Sequence, residues 1–576
     1  MGSCMAAMTF MTATSFSIAI TGAGGAGVIS CGDLLLQAWA RQGGRGLLRK
    51  AYGPQIRGGE SAALLKLTAD ECYTAASHYD LVVALDWGNF TRFEDEISLG
   101  PETRVVCDTV GEIPPSVLSQ GPAVQQLGLA EMAADTHPDG RVNMLVLGIL
   151  GRSLGLPAAS LVELAAEKLA AKPVAYRDAA TCCIERGYTI ALDAQVSVPP
   201  LGSPQVCYMS GNQAAGLGAL EAGIRFVAAY PITPASDVLE WMAAGLEQLG
   251  GQLLQAEDEL AAINMTIGAA YGGVPAFTAT SGPGLALMTE SIGLAVASET
   301  PVTILNVMRG GPSTGIPTKS EQSDLNIALF GLHGDAPHLV LAPLDIADCV
   351  FTTGWAVNLA QQLQTAAIVL SDQFIGQSTA VVSEPRRCPP PAAGPARKDN
   401  DYLRYRLTES GVSTLAAPGD SGQRFTADGL EHNEKGTPSA KASDHQLQLD
   451  KRLHKLVSHD YGDDWGRRSG DGPIALLSFG SSYAAVAEAA EILAESGVLA
   501  RTVALRLLAP LQVEALNEAL AGCEQLVVIE QNQGGQLYRY LRGQMDFQQQ
   551  LYSYAVPGPV PLDARQIAEH VMEVIG

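Results

Sequence analysis

A chain of 576 residues is too long for a single hydrophobic core, so three or four domains are expected. Its 60 acidic and 36 basic residues give a net charge of −24, which argues against a nucleic-acid binder. With 47% apolar and 17% charged residues, the composition suits a globular enzyme that buries much of its surface in partner subunits.

The 10 cysteines include no CxxC pair and no ferredoxin-type run, so the chain is expected to carry no iron–sulfur cluster of its own. No apolar run approaches the ~20 residues that span a bilayer. The apolar start lacks basic residues and is read as a disordered lead-in to a first strand, not a signal peptide. The expected location is the cytoplasm.

Strand-like runs at 15–20, 80–84 and 104–107 alternate with helical ones at 142–154 and 161–172, which predicts a parallel α/β unit. The turn-rich stretch 196–205 reads as a linker. A second α/β unit follows, with short apolar strands at 223–229, 276–279, 302–307, 339–341 and 366–370. From 384 to 468 the chain is rich in Pro, Gly, Ser and charge and is expected to be an extended connector, with a local helix at 446–458. A third α/β unit begins at Pro473, has a strand at 526–532 and closes on a helix at 563–575.

Two segments of the first unit could hold an anion. Gly22-Ala-Gly24-Gly25-Ala-Gly27 has the GxGxxG spacing of a strand-to-helix loop, where free amides favour a phosphate. Arg41, Arg45, Arg49 and Lys50 replace the acidic residue a dinucleotide fold places about twenty positions on, and suit a phosphorylated ribose. The same loop is also compatible with a purely structural turn. Arg57, beside Gly58 and Gly59, either clamps an anionic ligand or is an ordinary surface arginine.

The second unit offers a distributed site. Thr233, in Tyr230-Pro231-Ile232-Thr233-Pro, follows a buried strand and belongs at the carboxyl end of the sheet. Glu257-Asp258-Glu259 opens a helix of small residues, and helix capping by itself would account for the first two acids. Thr280-Ser281-Gly282-Pro-Gly284 is another strand–turn–helix loop, and Arg309 leaves a further strand ahead of Lys319. Four such segments at strand ends of one sheet predict a site. Gly470-Asp471-Gly472 matches the opening of a thiamine-diphosphate metal motif, but no paired asparagines follow and Asp471 precedes a strand, so it is rejected. His333 is the only histidine near the proposed site, and a structural role accounts for it equally well.

Together these segments resemble the α subunits of 2-oxoacid:ferredoxin oxidoreductases, in the form with a γ domain fused at the N-terminus. The resemblance rests on GAGGAG (22–27), YGPQIRGGES (52–61), YPITPASD (230–237), EDE (257–259), TATSGPG (278–284), RGGPSTGIPTK (309–319), SDQ (371–373) and VIEQNQGGQL (528–537). It implies three parallel-sheet α/β domains: a γ-like coenzyme A platform at 1–195, a thiamine pyrimidine-binding domain at 206–380 and a transketolase C-terminal-like domain at 471–576, with the connector at 381–470. PTKSEQSDL (317–325) looks most like the 2-oxoglutarate branch, with pyruvate and branched-chain 2-oxoacids as alternatives.

By the same resemblance, Glu259 is the acid that promotes the imino tautomer of thiamine diphosphate, with Glu257 as its competitor. Tyr230, Pro231, Ile232, Ser281 and Gly282 line the pyrimidine side. Arg309 and Thr233 hold the substrate carboxylate, and Lys319 either meets a second carboxylate or faces solvent. Gly24, Gly25, Gly27, Arg57 and Gly58 face coenzyme A. No metal site is implied in this chain. Mg2+, the diphosphate and a [4Fe-4S] cluster fall to a β subunit within an (αβ)2 assembly that reduces ferredoxin.

Overall fold

The structure is a computed structural model that describes residues 15–53, 59–88, 90–192, 202, 206–389 and 402–575. Arg57 and Gly58, the apolar start and all of the expected linker except Gly202 lie outside the described residues. The chain divides into two compact units, Met1–Tyr208 with Thr379–Glu384, and Met209–Ser378 with Pro385–Gly576.

The first unit is built on an eight-stranded sheet. Ser15–Gly22, Leu81–Ala84, Arg104–Asp108 and Ala123–Leu127 run parallel, as the alternation of strands and helices predicts. Two further strands were not foreseen: Ser61–Thr68 pairs antiparallel with Ser15–Gly22, and Arg45–Tyr52 pairs antiparallel with Ser61–Thr68, so this sheet is mixed. Charges within RGLLRKAY and SAALLKLT obscure the strand pattern. Arg49 is nonetheless buried, because Glu96 pairs with it inside. The helices Val28–Arg41, Val142–Ser153 and Val174–Tyr188 contribute apolar residues such as Leu35, Leu147 and Ile184 to the core over one face of the sheet.

The second unit holds two sheets. The seven-stranded one runs in the order Leu507–Ala509, Leu339–Leu341, Ala366–Asp372, Val302–Met308, Ala276–Thr280, Phe226–Ala229, Gln252–Gln255. All are parallel except Leu507–Ala509, and the central strands are buried along their whole length. The other sheet has Gly466–Ser469, Ala500–Leu505, Ile474–Phe479, Gln525–Glu530 and Gln550–Ala555, closed by the helix Ala564–Ile575. Asp471 sits in the turn that leads into Ile474–Phe479.

Buried ion pairs anchor the described part of the connector. Lys451 and Lys455, one turn apart on the helix Ala442–Val457, donate to the fully buried Glu299 at 2.6 and 3.0 Å. Arg404 donates to the Glu299 carbonyl at 2.6 Å and to Gln364 Oε1 at 2.8 Å. Glu299 and Gln364, with φ of 51° and 48°, are the two non-glycine residues in the left-handed region among the described residues.

Candidate active site

The carboxyl ends of Gln252–Gln255, Phe226–Ala229, Ala276–Thr280 and Val302–Met308 open on one edge of the parallel sheet, where open α/β folds hold ligands. Each carries one of the four segments expected to form the site.

Asp258 caps the helix Glu259–Tyr271, its Oδ1 accepting from the Ala261 amide at 2.7 Å. Glu257 and Asp258 are exposed, whereas Glu259 is only 6% exposed. The Glu259 carboxylate lies over the Gly-Pro-Gly turn that starts the helix Gly282–Ala297. A Cβ on Gly284 would come within 2.0 Å of Thr280 Oγ1 and 2.8 Å of Glu259 Oε1, so the position must be side-chain-free. Gly282 serves Asp324 in the same way: a Cβ there would lie 2.6 Å from its Oδ1. Ser281, just before Gly282, is fully buried, and its Oγ has no partner among the described residues.

Arg309 joins two of the segments, its Nη1 donating to the Thr233 carbonyl at 2.5 Å. Its Nε is buried and has no partner among the described residues. Burial lowers the Arg309 pKa, and the charge of Asp324 opposes this. Three residues before Arg309, Asn306 Nδ2 donates to Asp324 Oδ2 at 2.9 Å. Burial pushes the Asp324 carboxyl up to about 6; Glu321 adds to the rise, while Asn306 and Arg309 oppose it. Tyr230 and Pro231 are exposed beside this edge, and Ile232 and Thr233 are half-buried. The Lys319 backbone closes the 310–319 loop, accepting from the Gly310 amide at 3.0 Å and donating to the Ile316 carbonyl at 3.1 Å, and its residue is half-buried. His333 is exposed, against Gly293.

Three residues that single-sequence reading did not select belong to this cluster: Asn306, Asp324 and Gln322. Gln322 ties the Asp324 loop to the five-stranded sheet. Its amide donates to the Gln531 carbonyl at 2.7 Å, its Oε1 accepts from the Gln531 amide at 2.9 Å, and its Nε2 donates to the Phe479 carbonyl at 2.8 Å. Gln536 adds bonds to the Ser323 carbonyl and the Asn326 amide, both at 2.8 Å. The signal was the pairing of two motifs, SEQSD and EQNQGGQ, which spacing alone does not reveal.

In the first unit, Gly25 and Gly27 have φ of 84° and 79°, and Gly27 precedes the helix Val28–Arg41. They border a cavity of about 340 Å3 that is also lined by Arg141, Asn143, Lys168 and Tyr176. The Arg141 guanidinium stacks 4.6 Å from the centre of the Tyr176 ring. Of the basic residues that follow the loop in sequence, Arg41 is paired with Glu167 and Arg49 with Glu96; the cations that line the cavity are Arg141, just before the helix Val142–Ser153, and Lys168, which is paired with Asp33. Among the described residues, no group of three or more His, Cys, Asp or Glu is placed to hold a metal ion.

Residues 217–451 match the family model described as pyruvate flavodoxin/ferredoxin oxidoreductase, thiamine diphosphate-binding, and 17–190 match pyruvate ferredoxin/flavodoxin oxidoreductase. The 2-oxoglutarate synthase subunit KorA of Methanothermobacter thermautotrophicus is 36% identical over 339 residues, covering 58% of this chain and 90% of that one. The chain belongs to the 2-oxoacid:ferredoxin oxidoreductase family. The 2-oxoglutarate oxidoreductase subunit KorA of Mycobacterium tuberculosis is 35% identical over 442 residues, covering 72% of this chain and 66% of its own. A solved family structure, 2-oxoglutarate:ferredoxin oxidoreductase from Magnetococcus marinus with 2-oxoglutarate, coenzyme A and succinyl-CoA bound, superposes with a TM-score of 0.90 at 32% identity, covering 98% of this chain and 100% of that one. The thiamine-binding match contains Thr233, Glu259, Ser281 and Arg309, and the geometry there fits such a cofactor: a buried carboxylate over a side-chain-free turn, with an unpartnered buried hydroxyl beside it. Among the described residues, no helix is long and apolar enough to cross a membrane.

Proposed function

We propose that this chain is the α-type subunit of a 2-oxoglutarate:ferredoxin oxidoreductase. The enzyme would convert 2-oxoglutarate and coenzyme A reversibly to succinyl-CoA, CO2 and reduced ferredoxin. The observation that carries this reading is the placement of a buried carboxylate, Glu259, and a buried guanidinium, Arg309, on strand ends of one sheet edge. Thiamine diphosphate, when bound, supplies the carbanion equivalent that attacks a 2-oxoacid.

Glu259 holds a proton relay to the aminopyrimidine ring, a role that burial supports for it over the exposed Glu257. Tyr230, Pro231, Ile232, Ser281 and Gly282 shape the pyrimidine side. Arg309 binds the 1-carboxylate, and its bond to the Thr233 carbonyl sets the direction of the guanidinium. The Thr233 hydroxyl adds a second contact, and Lys319 meets the 5-carboxylate.

The first unit is the coenzyme A platform. Gly24, Gly25 and Gly27 offer backbone to a phosphate beside Arg141. Mg2+, the diphosphate contacts and the [4Fe-4S] cluster are supplied by a β subunit in an (αβ)2 complex in the cytoplasm. The test is viologen reduction by the assembled complex with 2-oxoglutarate, pyruvate and 2-oxoisovalerate, each with and without coenzyme A. Coenzyme A-dependent preference for 2-oxoglutarate is expected. A preference for pyruvate, or activity indifferent to coenzyme A, would overturn the assignment.

A further inference from the structure

We propose that Asn212 is a positioning residue for substrate binding: it fixes the turn on which Arg309 rests, and so the direction in which the guanidinium meets the 2-oxoacid carboxylate. The inference rests on the reading of Arg309 as the carboxylate contact. In the turn after Phe226–Ala229, the Ile232 carbonyl accepts from the Ala235 and Ser236 amides at 2.8 and 3.0 Å. The next two carbonyls are held by side chains. Arg309 Nη1 donates to that of Thr233 at 2.5 Å, and Asn212 Nδ2 donates to that of Pro234 at 2.9 Å. A shift of the Thr233–Pro234 peptide therefore moves the acceptor that orients Arg309.

Asn212 is itself held in place. It sits in the first turn of the helix Gly211–Glu221, whose N-terminus is closed by reciprocal bonds between Ser210 and Gln213 at 3.3 and 3.0 Å. That helix end meets the short helix Gln373–Gln377 at two glycines. A Cβ on Gly211 would come within 2.4 Å of the Ile375 carbonyl oxygen, and one on Gly376 within 2.6 Å of Asn212 Oδ1. Asn212 is only 1% exposed, and its Oδ1 is buried without a partner among the described residues. A buried orphan acceptor is costly, and an apolar side chain of similar size would avoid it. The amide is placed here for its donor, and the donor meets Pro234. The Pro234 carbonyl and Gly376, which face the amide, do not titrate; the charged residues bonded to these two segments are Arg309, Asp372 and Asp237.

In the complex assembled with its partner, Asn212→Ala is expected to raise KM for 2-oxoglutarate roughly tenfold, the weight of a single buried hydrogen bond, with kcat changing less. A merely structural defect would lower kcat through a smaller active fraction and leave KM alone. Asn212→Asp gives a sharper readout. Protonated, its carboxyl O–H donates to Pro234 as the amide does; ionised, it repels that carbonyl. The ratio of its KM to the wild-type KM should therefore stay low at about pH 6 and climb to that of Asn212→Ala or beyond by about pH 8.5.

An unchanged KM in Asn212→Ala, or a ratio for Asn212→Asp that is flat with pH, would overturn the proposal. Arg309→Gln separates the two levels of argument. If it leaves KM unchanged, the reading of Arg309 itself fails. If it raises KM, Asn212→Ala in the same background should add less than it does alone, because the group whose direction it sets is gone. Full additivity refutes the role of Asn212 and leaves that of Arg309 standing. Should Asn212→Ala not assemble, Gly376→Ala decides, since its methyl group displaces the Asn212 amide without removing it. A raised KM there supports the proposal; an unchanged one refutes it.

Discussion

Gly284 decides where the Glu259 carboxylate can lie. Adding one methyl group there drives into Thr280 Oγ1 and the Glu259 side chain together. Gly284→Ala is therefore expected to cost about 1–3 kcal/mol of stability and to lower turnover, measured by urea denaturation and by viologen reduction. Glu259→Gln should leave the fold and assembly intact and cut kcat by roughly 10²–10⁴, while Glu257→Gln, at an exposed position, should change it little. Equal losses in the two variants would mean that the relay runs elsewhere. The choice between the two glutamates could not be read from EDE alone. Asp258 looks like a cap in any context, but the burial of Glu259 depends on a glycine in a different strand–turn–helix segment. Arg309 was legible because it closes an apolar strand. Asp324 was not, since its partner Asn306 is hidden inside that strand as one polar residue among buried ones.

At the scale of elements, five of the seven strands in the larger sheet of the second unit were legible as short apolar runs, whereas Gln252–Gln255 is largely exposed and Leu507–Ala509 comes from far along the chain. The pair Arg45–Tyr52 and Ser61–Thr68 was missed because its charges are neutralised by residues far along the chain, Glu96 for Arg49 being one. The connector shows the same limit more sharply. Its composition predicts an extended segment, yet Lys451 and Lys455 flank a carboxylate with 0% exposure. Against the burial that would raise it, Lys455, Lys451 and Arg404 hold Glu299 down at about 2. Because its folded pKa lies below the ordinary carboxylate value, this group stabilises the protein above that value and loses the contribution as pH falls towards about 2. Glu299→Gln strands two buried ammonium groups and should cost about 3–5 kcal/mol, read as a lowered midpoint in urea that falls less with acid in that window than the wild-type midpoint does. An unchanged midpoint would show that the cations find other partners.

For the whole molecule, the proposed function assigns substrate and tautomer chemistry to the Glu259–Arg309 edge, and among the described residues no group of three or more His, Cys, Asp or Glu is placed to hold a metal ion. The chain purified alone is expected to retain neither thiamine diphosphate nor iron, and to acquire both on co-expression with its β subunit, as measured by mass spectrometry and elemental analysis. Stoichiometric cofactor on the isolated chain would contradict the shared site. The attachment of the connector was not legible from its composition. Arg404, Lys451 and Lys455 bind the connector to two backbone positions, Glu299 and Gln364, that adopt a conformation rare outside glycine. Ordinary propensity would let those two residues relax, so each side holds the other in a form neither would keep alone. Sequence drift at exposed positions of the connector can therefore leave the attachment untouched, whereas neutralising any of the three cations removes a bond to Glu299, one of the two positions held in that rare conformation.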